Sequence, residues 1–290
     1  MPEVVSPGHK LGQMVGNFFE ELFADDLMAF CREHGFYCDR RGPRPKVRGT
    51  SKKITWTDKY GDKHDLDYVI EKGGSYDKQG VPVAFIELAW RRYTKHSRNK
   101  TGELQGSLLP LKETYQTCRF IGAILAGEYT DGGKNQLTSH DIAVLHIPFE
   151  VLAGCFRKQA IELDYPENAK SAYKKSVIRK WQNLPYKSTT AVKGCLREAI
   201  ANDNSAFKKG LENALLRQIE VIRILPLYGT ESLFSSVAQA LKALAGFQEE
   251  QSKESKFVKF EVQLRFTDGD KMEGSFHSKE DAVHFLSMFS

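Results

Sequence analysis

The sequence predicts an α/β (α+β) fold: a mixed central sheet flanked by helices, followed by a small C-terminal ββα unit. Three features lead there: an amphipathic stretch near the start, extended segments separated by glycine-rich turns, and two uninterrupted apolar runs of the kind that doubly covered strands carry. Leu11, Val15, Phe18, Leu22 and Phe23 recur at helical spacing between Ser6-Pro7-Gly8 and Gly35, which predicts a helix over 11–33. Segments 46–57, 64–71 and 81–90 have strand character and are separated by turn formers, so they are expected to form an antiparallel meander. Leu104, Leu108, Leu111 and Tyr115 place a helix over 101–117, which Pro110 is expected to kink or split. The runs 120–126 and 142–147 read as buried strands, and a helix starts near Pro148 and passes through Leu152 and Phe156.

Further along, Leu211, Leu215, Ile219 and Ile222 are in helical phase and are followed by Leu233, Val237 and Leu241, so 206–245 reads as helical. The stretch 248–256 is polar and marks a boundary. Beyond it 257–266 alternates with period two, Thr267-Asp268-Gly269-Asp270 reads as a hairpin turn, a return strand passes through Phe276, and a last helix starts at Ser278. The division is therefore 1–205 for the core, 206–250 for a helical extension and 256–290 for the ββα unit, with no internal repeat.

Composition excludes several classes. With 290 residues, 41% of them hydrophobic and 27% charged, the chain can bury a full core. No apolar run approaches the roughly 20 residues a bilayer requires, and the first residues lack a secretory apolar stretch, so a cytoplasmic protein without membrane association is expected. Five scattered cysteines, Cys31, Cys38, Cys118, Cys155 and Cys195, form no C-x-x-C pair and are read as reduced, mostly buried thiols. The histidines show no H-E-x-x-H, the Gly-Gly pairs lack a following Gly-Lys-Ser/Thr, and no G-x-S-x-G occurs, which argues against a zinc hydrolase, an NTPase and a serine hydrolase. A net charge of +5 is mild; the clusters Arg91, Arg92, Lys95, His96, Arg98, Lys100 and Lys170, Lys174, Lys175, Arg179, Lys180 are better pointers to a polyanion.

Carboxylates carry the chemistry. Alternation along 64–70 places Asp65 and Asp67 on one face, and Glu87 interrupts the apolar run 83–90. An acid there is costly unless paired, protonated or bound to a cation. Carboxylates from adjoining strands make a hard oxygen site suited to Mg2+.

Over residues 10 to 160 the chain resembles the PD-(D/E)XK nuclease superfamily, and within it the type II restriction endonucleases. The resemblance rests on Asp67 ending one strand, Glu87 within the next after a glycine-rich hairpin, and the crossover helix and buried strand that follow. It implies a restriction-endonuclease-like sheet in which Asp67 and Glu87 hold Mg2+, with Mn2+ able to substitute, for hydrolysis of phosphodiesters in double-stranded DNA by a homodimer. Two positions depart from the motif: Leu66 stands where proline is common, and Ala89 where the family has lysine. Arg91, Lys95 and Lys100 are the candidate replacements; Lys95 is preferred, because a short turn after Trp90 folds it back, and completes the catalytic set Asp67, Glu87, Lys95. Glu20 or Glu21, Asp65, Glu103 and Gln105 are candidates for supporting roles. Arg91, Arg92, Thr94, Lys95, His96, Ser97, Arg98, Asn99 and Lys100, with Lys174 and Lys175, are the expected DNA contacts. Two alternatives stay open: a nuclease fold that binds DNA without cutting it, and a repair or antiviral nuclease without a short recognition sequence.

Overall fold

The computed structural model describes residues 6–94, 97–166, 168–227, 229–248, 257–267 and 269–289, the side chains of 97 and 98 excepted. Lys95, His96, the turn residue Asp268 and the polar stretch from 249 to 256 thus lie outside the described residues. The chain forms two compact units, 1–211 and 212–290.

The first unit is a mixed α/β body. Helix α1 (Pro7–Glu33) starts at Ser6, whose side chain accepts from the His9 N–H, and buries Leu11, Val15, Phe18, Phe19, Leu22, Phe23 and Leu27. Each such side chain contributes about 1.5–3 kcal/mol of burial. It packs over a five-stranded sheet of order β1-β4-β5-β6-β7, built from β1 (Phe36–Arg40), β4 (Tyr68–Lys72), β5 (Val81–Arg91), β6 (Phe120–Gly127) and β7 (Ala143–Ile147). The pairs β1/β4 and β4/β5 are antiparallel, and β5/β6 and β6/β7 are parallel. The parallel steps are bridged by α3 (Ser97–Thr114) and α4 (Asp131–Thr138), which lie on the sheet face away from α1, while α5 (Phe149–Arg157) packs behind β6. Helices α6 (Ser171–Gln182), α7 (Tyr186–Ala199) and α8 (Ala201–Leu216) follow. At Gly127 (φ +99°) an added Cβ would stand 2.0 Å from the Arg91 carbonyl, so only glycine allows β6 to end that close to β5.

Four expectations are corrected here. The meander does not form: α2 (Pro45–Arg48) occupies the start of 46–57, β2 (Ile54–Thr57) pairs only with β3 (Lys63–Leu66), and β4 pairs with β5 and with β1, a strand the sequence reading missed. Helix α3 is not split at Pro110, which lies inside it. The stretch 206–250 is not helical throughout; β8 (Ile219–Pro226) and β9 (Ser232–Phe234) separate α8 from α9 (Val237–Gly246). Cys155 and Cys195 form a disulfide joining α5 to α7, leaving Cys31, Cys38 and Cys118 as buried free thiols.

The second unit also overturns the absence of a repeat. Its sheet has the order β11-β10-β8-β9, with β10 (Phe260–Phe266) and β11 (Lys271–Phe276) leading into α10 (Lys279–Ser287) as expected. Two ββα halves, β8-β9-α9 and β10-β11-α10, repeat the same plan. Ile222 faces Phe234 just before the helix-capping Ser236, and Phe260 faces Phe276 just before the capping Ser278. Ile222 also faces Leu264 while Phe260 faces Pro226, so a pseudo-two-fold axis passes through the Ile224/Val262 pair.

Candidate active site

The chain changes partners at Asp67. Leu66 ends the β2–β3 ribbon and Tyr68 begins β4, so Asp67 sits at the junction between two sheets. Tyr68 faces Ile86 across β4/β5, which sets Asp67, one step on, against Glu87. Arg40 faces Tyr68 across β1/β4, which sets Arg41 against Asp67 on the other side. Arg41, Asp67 and Glu87 thus form a row across three strands where the ladder ends.

The two carboxyl groups meet. They are hydrogen-bonded to each other, Asp67 Oδ2 also accepts from the Leu88 N–H at 2.7 Å, and Ser107 Oγ on α3 donates to Glu87 Oε1 at 3.3 Å. Glu87 is only 8% exposed. Burial, then the neighbouring Asp67 charge, push the Glu87 carboxyl well above the usual range, while Lys100 pulls it back. Burial raises Asp67 too, but the Leu88 N–H and the hydrogen bond with Glu87 oppose the shift. Both carboxyl groups are thus pushed upward, Glu87 the more strongly buried of the two, and two acids this close disfavour joint ionisation. Among the described residues no cation lies within ion-pair distance of either group.

Beside Asp67 opens a polar cavity of about 530 Å³, lined by Asn17, Glu20, Glu21, Arg40 and Arg41 among others. The Tyr68 hydroxyl donates to the Glu20 carbonyl and ties α1 to β4 at this point. Glu20 is raised first by burial and then by the Asp67 charge, and the Arg41 charge opposes the shift.

The remaining candidates divide. Asp65 does not share a face with Asp67: it lies exposed on the ribbon, bound by Lys53 Nζ and by Thr55 Oγ1. Glu21 lines the cavity beside Asp67 but stands 3.6 Å from Lys193, and Gln105 pairs with Gln136 on α4. Lys100 Nζ stands 3.1 Å from Glu103 and Arg91 3.9 Å from it, but of the two cations it is the Lys100 charge that acts on both Asp67 and Glu87. Arg92 is turned away to the Leu163 and Tyr165 carbonyls. Ser97 and Arg98 open α3, Thr94 and Asn99 are exposed at its approach, and Lys174 and Lys175 lie on α6. Lys95 lies outside the described residues. Glu20, in preference to Glu21, and Arg41, absent from the sequence reading, complete the site. The doublet Arg40-Arg41 ending an extended segment was the available signal for Arg41, but it required recognising β1.

A divalent ion fits this donor set. A buried carboxyl group opposed to a half-buried one, with no ion-paired base among the described residues, needs a proton or a cation, and Mg2+ is commonly held by one or two carboxylates with water and substrate oxygens completing its shell. Among the described residues no cluster of three or more His, Cys, Asp or Glu side chains is placed to hold a metal. No protein-family model, curated protein or solved structure matches this chain.

Proposed function

We propose that this chain is a Mg2+-dependent endonuclease of the PD-(D/E)XK type, cutting a specific sequence in double-stranded DNA as type II restriction enzymes do and acting as a homodimer. One observation carries the reading: carboxyl groups of Asp67 and Glu87 face each other at the end of a ladder, Glu87 buried and Asp67 bordering the polar cavity, with no ion-paired base among the described residues. A structural acid pair would be expected to have a counter-charge in contact. Bound there, Mg2+ supplies a Lewis acid for the phosphoryl oxygen and an acidified water. Glu87 in its ionised form and Asp67, oriented by the Leu88 N–H, would hold the ion. The Lys100 ammonium replaces the cation missing at position 89 and offsets charge building on the phosphate, while Arg41 anchors a neighbouring phosphate in the cavity. A phosphorus–oxygen bond to the attacking water forms as that water gives a proton to solvent, the bond to the departing deoxyribose oxygen breaks, and that oxygen takes a proton from solvent.

Incubation of plasmid with the protein and Mg2+ tests this. Discrete fragments are expected, with Asp67→Ala inactive and Asp65→Ala active; full activity in Asp67→Ala would overturn the reading, and smearing would replace sequence recognition with a less specific nuclease. The absence of a lysine at position 89 favours a second reading, a DNA-binding protein that never cuts. Binding without nicking across Mg2+ and Mn2+ would establish it.

A further inference from the structure

We infer that a second hollow of the first unit receives one unstacked nucleobase of a nucleic-acid strand. The inference rests on the proposal that nucleic acid is the substrate. The hollow has a volume of about 220 Å³ and is walled by Trp90, Tyr93, Phe149 and Tyr165, with Arg92 and Lys174 at its side. That is below the about 300–1,000 Å³ of drug-sized sites and suits a single flat heterocycle.

Its chemistry is selective. The Arg92 guanidinium is fixed by the Leu163 and Tyr165 carbonyls and lies 4.5 Å from the Phe149 ring centre and 4.1 Å from that of Tyr165. Lys174 Nζ stands 5.6 Å from the Tyr165 ring centre. The Trp90 indole N–H has no hydrogen-bond acceptor among the described residues and points toward α1 at Gly12, where an added Cβ would sit 3.9 Å away. Gly8, also on that wall, has nothing within 4 Å of an added Cβ. Aromatic faces, an unused ring N–H donor and two cations together select a planar ring that carries acceptor atoms and is attached to phosphate.

Location supports a strand rather than a free nucleotide. Trp90 points to the α1 face of β5, Asp67 borders the polar cavity on that side, and α1 lines both cavities. From Gly12 in the hollow to Glu20 beside Asp67 the helix advances about 12 Å at 1.5 Å per residue. A strand with a phosphate in the polar cavity beside Asp67 therefore passes the hollow within a few nucleotides, with Lys174 of α6 at the side of the hollow. Enzymes that extrude a base hold it between aromatic and apolar side chains, as here.

The test uses the full chain in EDTA, so that no cleavage occurs, with tryptophan fluorescence as the readout. An octathymidylate, an abasic octamer of the same backbone, and free dTMP are titrated. The octathymidylate should quench the fluorescence and bind about 5- to 150-fold more tightly than the abasic octamer, with dTMP far weaker. Gly12→Leu fills the hollow and favours the helix. It should remove the preference for bases while leaving binding of the abasic octamer unchanged. Equal binding of the two octamers, a preference that survives in Gly12→Leu, or dTMP binding as tightly as the octamer would each overturn the inference. Plasmid digestion with Mg2+, run in parallel, separates the two proposals. Cleavage without base preference removes the hollow and keeps the nuclease; base preference without cleavage does the reverse.

Discussion

Glu87→Gln should make the metal-free protein more stable at alkaline pH while abolishing cleavage. Glutamine keeps the shape, can still accept from Ser107, and can donate to Asp67 without a charge that must be neutralised. In the wild type the folded state holds the Glu87 proton more tightly than the unfolded chain does, because burial and the Asp67 charge disfavour ionisation. The folded state then binds more protons above the ordinary glutamate value of about 4.3, and stability falls as pH rises toward the elevated folded value. Each pH unit in that window costs about 1.4 kcal/mol, so between pH 6 and pH 8 the wild type should lose about 3 kcal/mol relative to Glu87→Gln. For a chain of this size that is about 5–11 °C in Tm. Thermal unfolding of both proteins at the two pH values in EDTA measures it. Added Mg2+ should flatten the wild-type pH dependence and leave the variant unmoved. A variant that shows the same pH dependence as the wild type, or one that still cleaves plasmid, would refute the assignment of the proton and the role of the pair.

Three further outcomes are expected. Lys100→Met should lower the cleavage rate by about 10²–10³-fold with DNA binding little changed, and Lys100→Arg should retain part of it, as read by single-turnover cleavage. Arg44→Met should destabilise the first unit by about 3–5 kcal/mol in urea unfolding, because Arg44 is fully buried and bonded to Asp39 at 2.8 Å and to both Glu71 oxygens at 2.8 and 2.9 Å, and its loss leaves two buried acids short of a partner; the fraction that remains folded should still cleave. Reducing the Cys155–Cys195 bond, which closes a separation of 40 residues, should cost about 4 kcal/mol by loop entropy, readable as a drop in Tm with reductant that Cys155→Ser reproduces.

The legible parts of the fold were the long patterned ones. Helix α1, strands β5, β6 and β7 and helix α5 each carry a pattern that extends for several residues, and Asp67 and Glu87 stand out because they interrupt such patterns. What was missed is short or depends on distant partners. The segment Phe36–Arg40 has no clean alternation and is a strand because β4 offers it a ladder. Ile219 and Ile222 are three apart and satisfied a helical template, while Ile222, Ile224 and Pro226 bury one face of a strand with period two. Alternation put Asp65 beside Asp67 on the assumption of one continuous strand, but the chain passes from one sheet to another between them. Glu20 and Arg41 reach the site from elements whose docking no local pattern specifies, and a disulfide across 40 residues has no spacing signature.

On the proposed nuclease reading, the choice of Lys100 as the stand-in cation follows from how the ladder ends. Beyond Ile86, β5 loses its β4 partner, and the Leu88 N–H that would have joined the ladder is taken by Asp67 instead. The ribbon β2–β3 contributes Ile54, Trp56 and Leu66 to the apolar cluster that also holds Ala89, Leu104 and Tyr129, and Ala89 is 2% exposed. A lysine at 89 would enter that cluster, whereas the charge of Lys100, at the start of α3 and on one helical face with Ser107, acts on both acids. Ala89→Lys, although it restores the family motif, should therefore destabilise the first unit by about 3–5 kcal/mol, the scale of an uncompensated buried charge. It should also fail to restore cleavage when added to Lys100→Met. Single-turnover rates for the double variant, corrected for the folded fraction, decide the matter. Recovery to near the wild-type rate would mean that position 89 does open onto the reacting phosphate and that Lys100 is not the replacement.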